Sequence, residues 1–155
     1  MAEPTLRRAT AADAAAIRDL AEAAYRKYVP RIGRRPAPMD ADYAALIEWA
    51  NVWVLIDGEH LVGSVVTYPD GDHLLLDAVA VAPATQGRGF GSLLLRRAED
   101  DARDAGLAEV RLYTNAAMTE NLTFYPRHGY AETHRARQDG FDRVFFSKVL
   151  GRPLP

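Results

Sequence analysis

The chain has 155 residues, 48% of them apolar and 26% charged, with a net charge of −2 from 19 basic and 21 acidic side chains. Those figures fit an ordinary globular domain and exclude disorder, collagen and coiled coil, while the absence of a basic excess argues against nucleic acid as a partner. There is no cysteine, which excludes disulfides, Cys-ligated metal and any covalent acyl-cysteine.

The first residues, Met1-Ala2-Glu3-Pro4-Thr5, lack the basic-then-apolar pattern of a signal peptide. No apolar run approaches the ~18 residues that a membrane-spanning helix needs. The expectation is one cytoplasmic domain over residues 1–155 with no membrane partner.

Residues 6–9 read as an opening strand. Thr10-Ala11-Ala12-Asp13 reads as a capping box. It precedes a helix with Ile17, Leu20, Ala21, Ala24 and Tyr28 on one apolar stripe. Residues 29–38, with three prolines and three arginines, read as a long loop. Asp40 is the expected cap of a second helix that turns Tyr43, Leu46, Ile47 and Ala50 inward.

Residues 52–56, 61–68 and 73–82 then read as strands, joined by turns at Asp57-Gly58 and Pro69-Asp70-Gly71-Asp72. A helix over residues 89–105 ends at Gly106. A strand over 110–113 and a short helix over 119–125 follow. A last pair of strands flanks Gln138-Asp139-Gly140-Phe141. The order β-α-α-β-β-β-α-β-α-β-β predicts an α/β fold, a mixed and mostly antiparallel sheet with helices on both faces.

The most informative stretch is the apolar strand that runs into Gln86-Gly87-Arg88-Gly89-Phe90-Gly91-Ser92 and opens a helix. Glycines let a backbone approach an anion, and the first amides of a helix point at it. Three readings compete from the residues themselves. The glycines solve a steric problem, or the turn is a dinucleotide fingerprint, or it is a P-loop. The fingerprint wants a third glycine where Ser92 stands, and the P-loop wants a lysine that is missing.

A fourth reading fits better. Val81-Ala82-Pro83, a short turn, then Gln86, Gly89 and Gly91 resemble the acyl-CoA loop of the GNAT superfamily of N-acetyltransferases. That loop has Arg or Gln, two residues, Gly, one residue, then Gly or Ala. The element order resembles that family as well. The resemblance implies a V-shaped opening between the fourth and fifth strands. There the pantetheine arm pairs like a strand with the backbone around Val79 and Val81, with Ala80 between them also a cofactor-binding candidate. Gln86, Gly87, Arg88, Gly89, Phe90, Gly91 and Ser92 hold the pyrophosphate, with Arg88 adding a mobile charge.

Tyr125, four residues before Gly129-Tyr130, matches the family's tyrosine near the CoA sulfur, whose phenol protonates the departing thiolate. Alone, it would read as a core aromatic; its position relative to the glycine loop favours the catalytic reading. Pro126 is expected to end or kink the helix there. Where the family often has Asn, this chain has Met118; Asn121 is the candidate substitute on a similar face, toward pantetheine.

Asp77 lies at the same strand parity as Val79 and Val81. It is the candidate general base for the amine, directly or through water, or else a strand-end hydrogen-bonding residue. Asp72, His73 and Glu120 are weaker candidates. The four histidines show no i,i+4 pair, so no metal is expected.

Arg26, Lys27, Arg31, Arg34 and Arg35, near Tyr28, either hold an anionic acceptor through a guanidinium fork or form a solvated loop. Tyr25, Tyr28, Trp49 and Trp53 line a cleft or fill the core. The resemblance implies an acetyl-CoA-dependent N-acetyltransferase with direct transfer in a ternary complex to a small-molecule or peptide amine. A non-catalytic acyl-CoA sensor and an enzyme modifying a protein or aminoacyl-tRNA amine are the alternatives. A homodimer is left open.

Overall fold

The computed structural model describes residues 3–151. Strand β1 (Thr5–Arg8) leads into α1 (Ala14–Tyr25). The Asp13 carboxylate accepts from the Thr10 amide at 2.7 Å and from Arg7 at 2.8 Å. The bond from Arg7 is the larger influence, and the carboxyl is pulled down to about 2. The stripe of α1 buries Ile17, Leu20, Ala21 and Ala24.

Beyond Tyr25 the chain tightens into a 3₁₀ turn, Arg26–Tyr28, and then a single helical turn, α2 (Val29–Ile32). The segment expected to be loop is therefore partly helical. Pro30 sits in the first turn of α2, where a missing amide costs nothing. The next helix, α3 (Tyr43–Trp49), is capped by Asp42, which accepts from the Ala45 amide at 3.1 Å. The expected cap, Asp40, instead pairs with Arg35 at 3.0 Å.

Three antiparallel strands follow: β2 (Asn51–Asp57), β3 (His60–Asp70) and β4 (His73–Val81). Helix α4 (Phe90–Asp104) leads to β5 (Glu109–Asn115) and α5 (Thr119–Arg127). The hairpin β6 (Ala131–Gln138) and β7 (Phe141–Val149) completes a sheet of order β1-β2-β3-β4-β5-β7-β6.

Alternation along the strands feeds two cores. Leu55, Val65, Leu76, Leu112 and Phe146 pack with Leu94 and Leu95 of α4 and Tyr125 of α5. Val52, Val54 and Val66 pack with α1, Met39 and Tyr43. Each fully buried aliphatic side chain is worth ~1.5–3 kcal/mol. A buried carboxylate also fixes α4 to the sheet. Asp101 accepts from Thr67 at 2.7 Å, from the Trp53 indole at 3.1 Å and from Arg97 at 3.0 Å.

Two irregularities position everything that follows. Strands β4 and β5 run parallel but pair only at Leu74–Val110 and Leu75–Arg111. Past Leu75 the strands part, so residues 76–81 have no strand partner on that side. A register shift also occurs between β3 and β4, where the partner of Val66 is Ala78 and that of Thr67 is Leu76. Asp77 is the extra residue of this bulge, and the bulge breaks strict alternation.

Candidate active site

Two hollows meet at the parting of β4 and β5. One is a groove of about 430 Å³ running along the outer half of β4 to the glycine loop at the head of α4. The other is a smaller cavity of about 140 Å³ between the segment before α3 and strands β4, β5 and β7. Tyr25, Val79, Asn121 and Tyr125 line both and form the common wall.

At the groove's far end, the amides of residues 87–92 donate to no protein acceptor among the described residues, and the first regular helical bond is from Leu93 to Gly89. This row of free donors lies at the positive end of a 15-residue helix. Gly89 is its cap at φ +82°, a conformation that costs other residues ~1–2 kcal/mol. Gly91 serves packing instead, since a Cβ there would come within 2.9 Å of the Phe124 ring on α5.

Two residues of this loop behave otherwise than expected. The Arg88 guanidinium is held by Asp57 at 2.9 Å and lies over Phe90, so the side chain is tied back to the β2–β3 turn and Arg88 is not among the residues lining the groove. The Gln86 amide is used locally on Pro83, and its side chain reaches back to the Val81 carbonyl at 3.4 Å. Ser92 donates its hydroxyl hydrogen to His128 Nε2 at 2.7 Å. That direction follows because His128 Nδ1 must give its hydrogen to the Phe124 carbonyl at 2.8 Å.

The open edge of β4 is polar backbone. The Ala82 amide bonds to Val62 of β3. Alternation then turns the main-chain groups of Ala80 toward β3 and those of Val79 and Val81 toward the groove. Ala80 therefore lines the groove without offering main-chain pairing, and of the three candidate residues on this strand Val79 and Val81 turn their backbone toward it. The Val79 carbonyl is taken by the Tyr25 hydroxyl at 2.6 Å.

Helix α5 carries Tyr125 and Asn121 to the common wall. It runs through Pro126 to Arg127 rather than stopping before it. Tyr125 is 4% exposed, and its hydroxyl has no hydrogen-bond partner among the described residues. No sealed side-chain oxygen or nitrogen in that set goes unpartnered, so this oxygen opens into the hollows. Burial raises the Tyr125 pKa and keeps the phenol protonated at neutral pH. Asn121 donates to Thr114 at 3.0 Å, and its oxygen accepts from no protein donor among the described residues. Met118 is buried beside it.

Asp77 projects into the smaller cavity, and its carboxylate makes no hydrogen bond among the described residues. Burial pushes its pKa up, with Arg143 pulling partly the other way. Of the weaker base candidates, Asp72 and His73 bond to each other at the β3–β4 turn, outside both hollows. Glu120 lines the groove, but its carboxylate is occupied by Tyr28 at 2.8 Å, Arg31 at 2.6 Å and Lys27 at 3.1 Å. Chiefly through Arg31, these partners hold it well below the usual carboxylate range.

The cationic side chains of the arginine-rich segment stay exposed, and three of its arginines are engaged by the protein itself. Arg31 ties α2 to α5 through Glu120, and Arg34 donates to the Asp139 carbonyl at 3.0 Å while lying over Phe141. Arg35 pairs with Glu22 and Asp40. None of these arginines lines the smaller cavity. The arginine that does is Arg143 of β7, which sequence reasoning missed. Its signal was a lone cation within the apolar run of residues 141–146. Tyr25 and Tyr28 line the groove, whereas Trp49 is 61% exposed and Trp53 packs on α4; neither tryptophan lines either hollow.

The model of the Acetyltransferase (GNAT) family matches residues 14–130. The PaiA N-acetyltransferase of Thermoplasma acidophilum, solved in complex with coenzyme A, superposes with a TM-score of 0.80 at 16% identity, over 96% of this chain and 99% of that one. A mycothiol acetyltransferase of Nocardia farcinica is 41% identical over 56 residues, 36% of this chain and 18% of the relative. An aminoalkylphosphonate N-acetyltransferase of Salmonella typhimurium is 37% identical over 59 residues, 38% of each chain. The stretches matched thus span well under half the length of both curated relatives.

Proposed function

Because the chain belongs to the acetyltransferase (GNAT) family, we propose that it transfers an acetyl group from acetyl-CoA to a primary amine, directly, with both substrates bound. The observation that carries this reading is the free amide row at residues 87–92, joined by one groove to the unpartnered hydroxyl of Tyr125.

The groove suits coenzyme A on its own chemistry. A diphosphate needs several convergent donors, and the amides at the head of α4 are unclaimed. A pantetheine arm carries amides that pair with backbone, and Val79 and Val81 turn theirs outward along an edge with no strand beside it. Ser92 and Asn121 offer polar groups at either end of that path. The solved neighbour holds coenzyme A, which agrees with this use of the fold.

Bound acetyl-CoA supplies an activated acyl carbon as a thioester. The protein's part is mainly positioning, since well-oriented partners reach effective molarities of roughly 10⁵–10⁸ M. Asp77, directly or through water, takes a proton from the arriving ammonium and frees the nitrogen lone pair. As the C–N bond forms and the C–S bond breaks, the outward amides of β4 stabilise negative charge on the acyl oxygen. Tyr125 gives its proton to the leaving sulfur and regains one from solvent, while the acylated nitrogen sheds its second proton to water. The balance is one amide, one thiol and one released proton.

Two measurements test this. Calorimetry of the purified protein should register saturable binding of coenzyme A. Thiol release from acetyl-CoA should depend on an added amine. Binding without any amine-dependent release would leave a sensor; no binding would remove the reading altogether.

A further inference from the structure

Resting on the acetyltransferase reading, we propose that the acceptor is a small primary amine that also carries an oxyanion, with Arg143 gripping the oxyanion while Asp77 faces the amine. The relevant hollow is the smaller cavity, which holds both side chains.

Arg143 is 11% exposed at its side chain, yet it is only lightly used. Its Nη1 donates to Gln138 at 3.2 Å and to Asp139 at 3.4 Å. Asp139 is itself 81% exposed, and so long a bond to a solvated carboxylate is weak. Nε and Nη2 have no hydrogen-bond partner among the described residues. No sealed side-chain nitrogen in that set is left unpartnered, so these groups are reachable by solvent on a residue that lines the cavity. Together they form the edge of a guanidinium that takes a carboxylate or phosphate with two parallel bonds.

The fork is also held still. The guanidinium stacks on Tyr113 at 4.3 Å and approaches Phe141 at 5.7 Å. It sits on β7 opposite Asn115 of β5, and Asp77 sits on β4 across β5. Because β4 parts from β5 past Leu75, the two charges are set apart across the opening, and both line the cavity. The remaining walls are largely apolar, including Pro36, Pro38, Leu46 and Met118. An acid, a base and apolar walls fit a short molecule with a cation at one end and an anion at the other. The Arg34 bond to the Asp139 carbonyl joins the segment before α3 to the β6–β7 hairpin over Phe141. The cavity's volume of about 140 Å³ favours a small molecule over a polypeptide.

The test uses amines of similar length and basicity: propylamine, 3-aminopropionate, phosphoethanolamine and 1,3-diaminopropane. Thiol release gives kcat/KM for each, and calorimetry with coenzyme A is run in parallel. One or both anionic amines should exceed propylamine by about 10- to 100-fold, with diaminopropane the poorest. The better of the two tells whether the fork takes a carboxylate or a phosphate. In Arg143→Gln that preference should shrink to within about 3-fold while coenzyme A affinity is kept; Arg143→Lys should recover part of it. Equal or greater rates with propylamine or diaminopropane overturn the proposal, as does no turnover of either anionic amine by protein that binds coenzyme A. Failure to bind coenzyme A instead overturns the acetyltransferase reading. The comparison of amines on the unaltered protein stands even where a variant does not fold.

Discussion

Tyr25 donates its hydroxyl hydrogen to the main-chain oxygen of Val79 at 2.6 Å, joining α1 to the open edge of β4 where groove and cavity meet. Burial pushes the phenol pKa up, so the bond persists across the working pH range. Tyr25→Phe should cost about 1 kcal/mol in urea unfolding, near the average for one hydrogen bond, because groove water replaces the lost donor.

Tyr125 has a protonated, unpartnered hydroxyl at the common wall. Tyr125→Phe removes only that oxygen and keeps the ring contacts with Phe124, Tyr130 and Phe146. Turnover should fall by about 10²–10⁴ while the coenzyme A dissociation constant stays within a few-fold. An unaltered kcat would remove the residue from the chemistry.

Asp77 has a pKa raised by burial. As a base it must be ionised, so kcat/KM should rise with pH through a midpoint above the ordinary carboxylate range. In Asp77→Asn that acid limb should disappear. The sign for stability is opposite. A raised folded pKa means the folded state binds the proton more tightly, so this group's favourable contribution holds below the unfolded pKa and is lost as pH rises through the folded one. Thermal melts at pH 7 should therefore find Asp77→Asn no less stable than the parent.

Gly89 and Gly91 should fail differently. Gly89→Ala has open space around the new methyl but retains φ +82°, so strain of ~1–2 kcal/mol moves the amide row. Coenzyme A binding should weaken and kcat at saturation should change little. Gly91→Ala drives a methyl into Phe124, next to Tyr125 in sequence. It should lower stability by about 1–3 kcal/mol and reduce kcat as well. Unfolding curves and calorimetry on both variants separate the two patterns.

Asp101 is a structural carboxylate far from this chemistry, with Thr67, Trp53 and Arg97 as partners. Asp101→Ala leaves the Thr67 hydroxyl and the Trp53 indole without their buried acceptor, while Arg97 keeps Asp104 at 3.0 Å, and should destabilise the protein by about 2–4 kcal/mol. Denaturant unfolding would show this as a lower midpoint.

Sequence alone determined what depends on neighbours in the chain. Element order followed from periodicity and turn residues. The glycine loop followed from the conformations only glycine adopts readily. The place of Tyr125 followed from its spacing to Gly129. Local pattern went wrong where a competing local option existed, as when Asp42 rather than Asp40 capped α3. Only the tertiary structure decided which side chains meet. The bulge at Asp77 undid the parity that had aligned it with Val79, because an extra residue in one strand has no signature in alternation. Arg88 turned out to be tied to Asp57, 31 residues away. Arg31 and Arg34 became bridges to α5 and the β6–β7 hairpin, and Arg143 became the cation of the cavity. Charged side chains reach far and pair with whatever the closed sheet brings near, so their partners are a property of the fold.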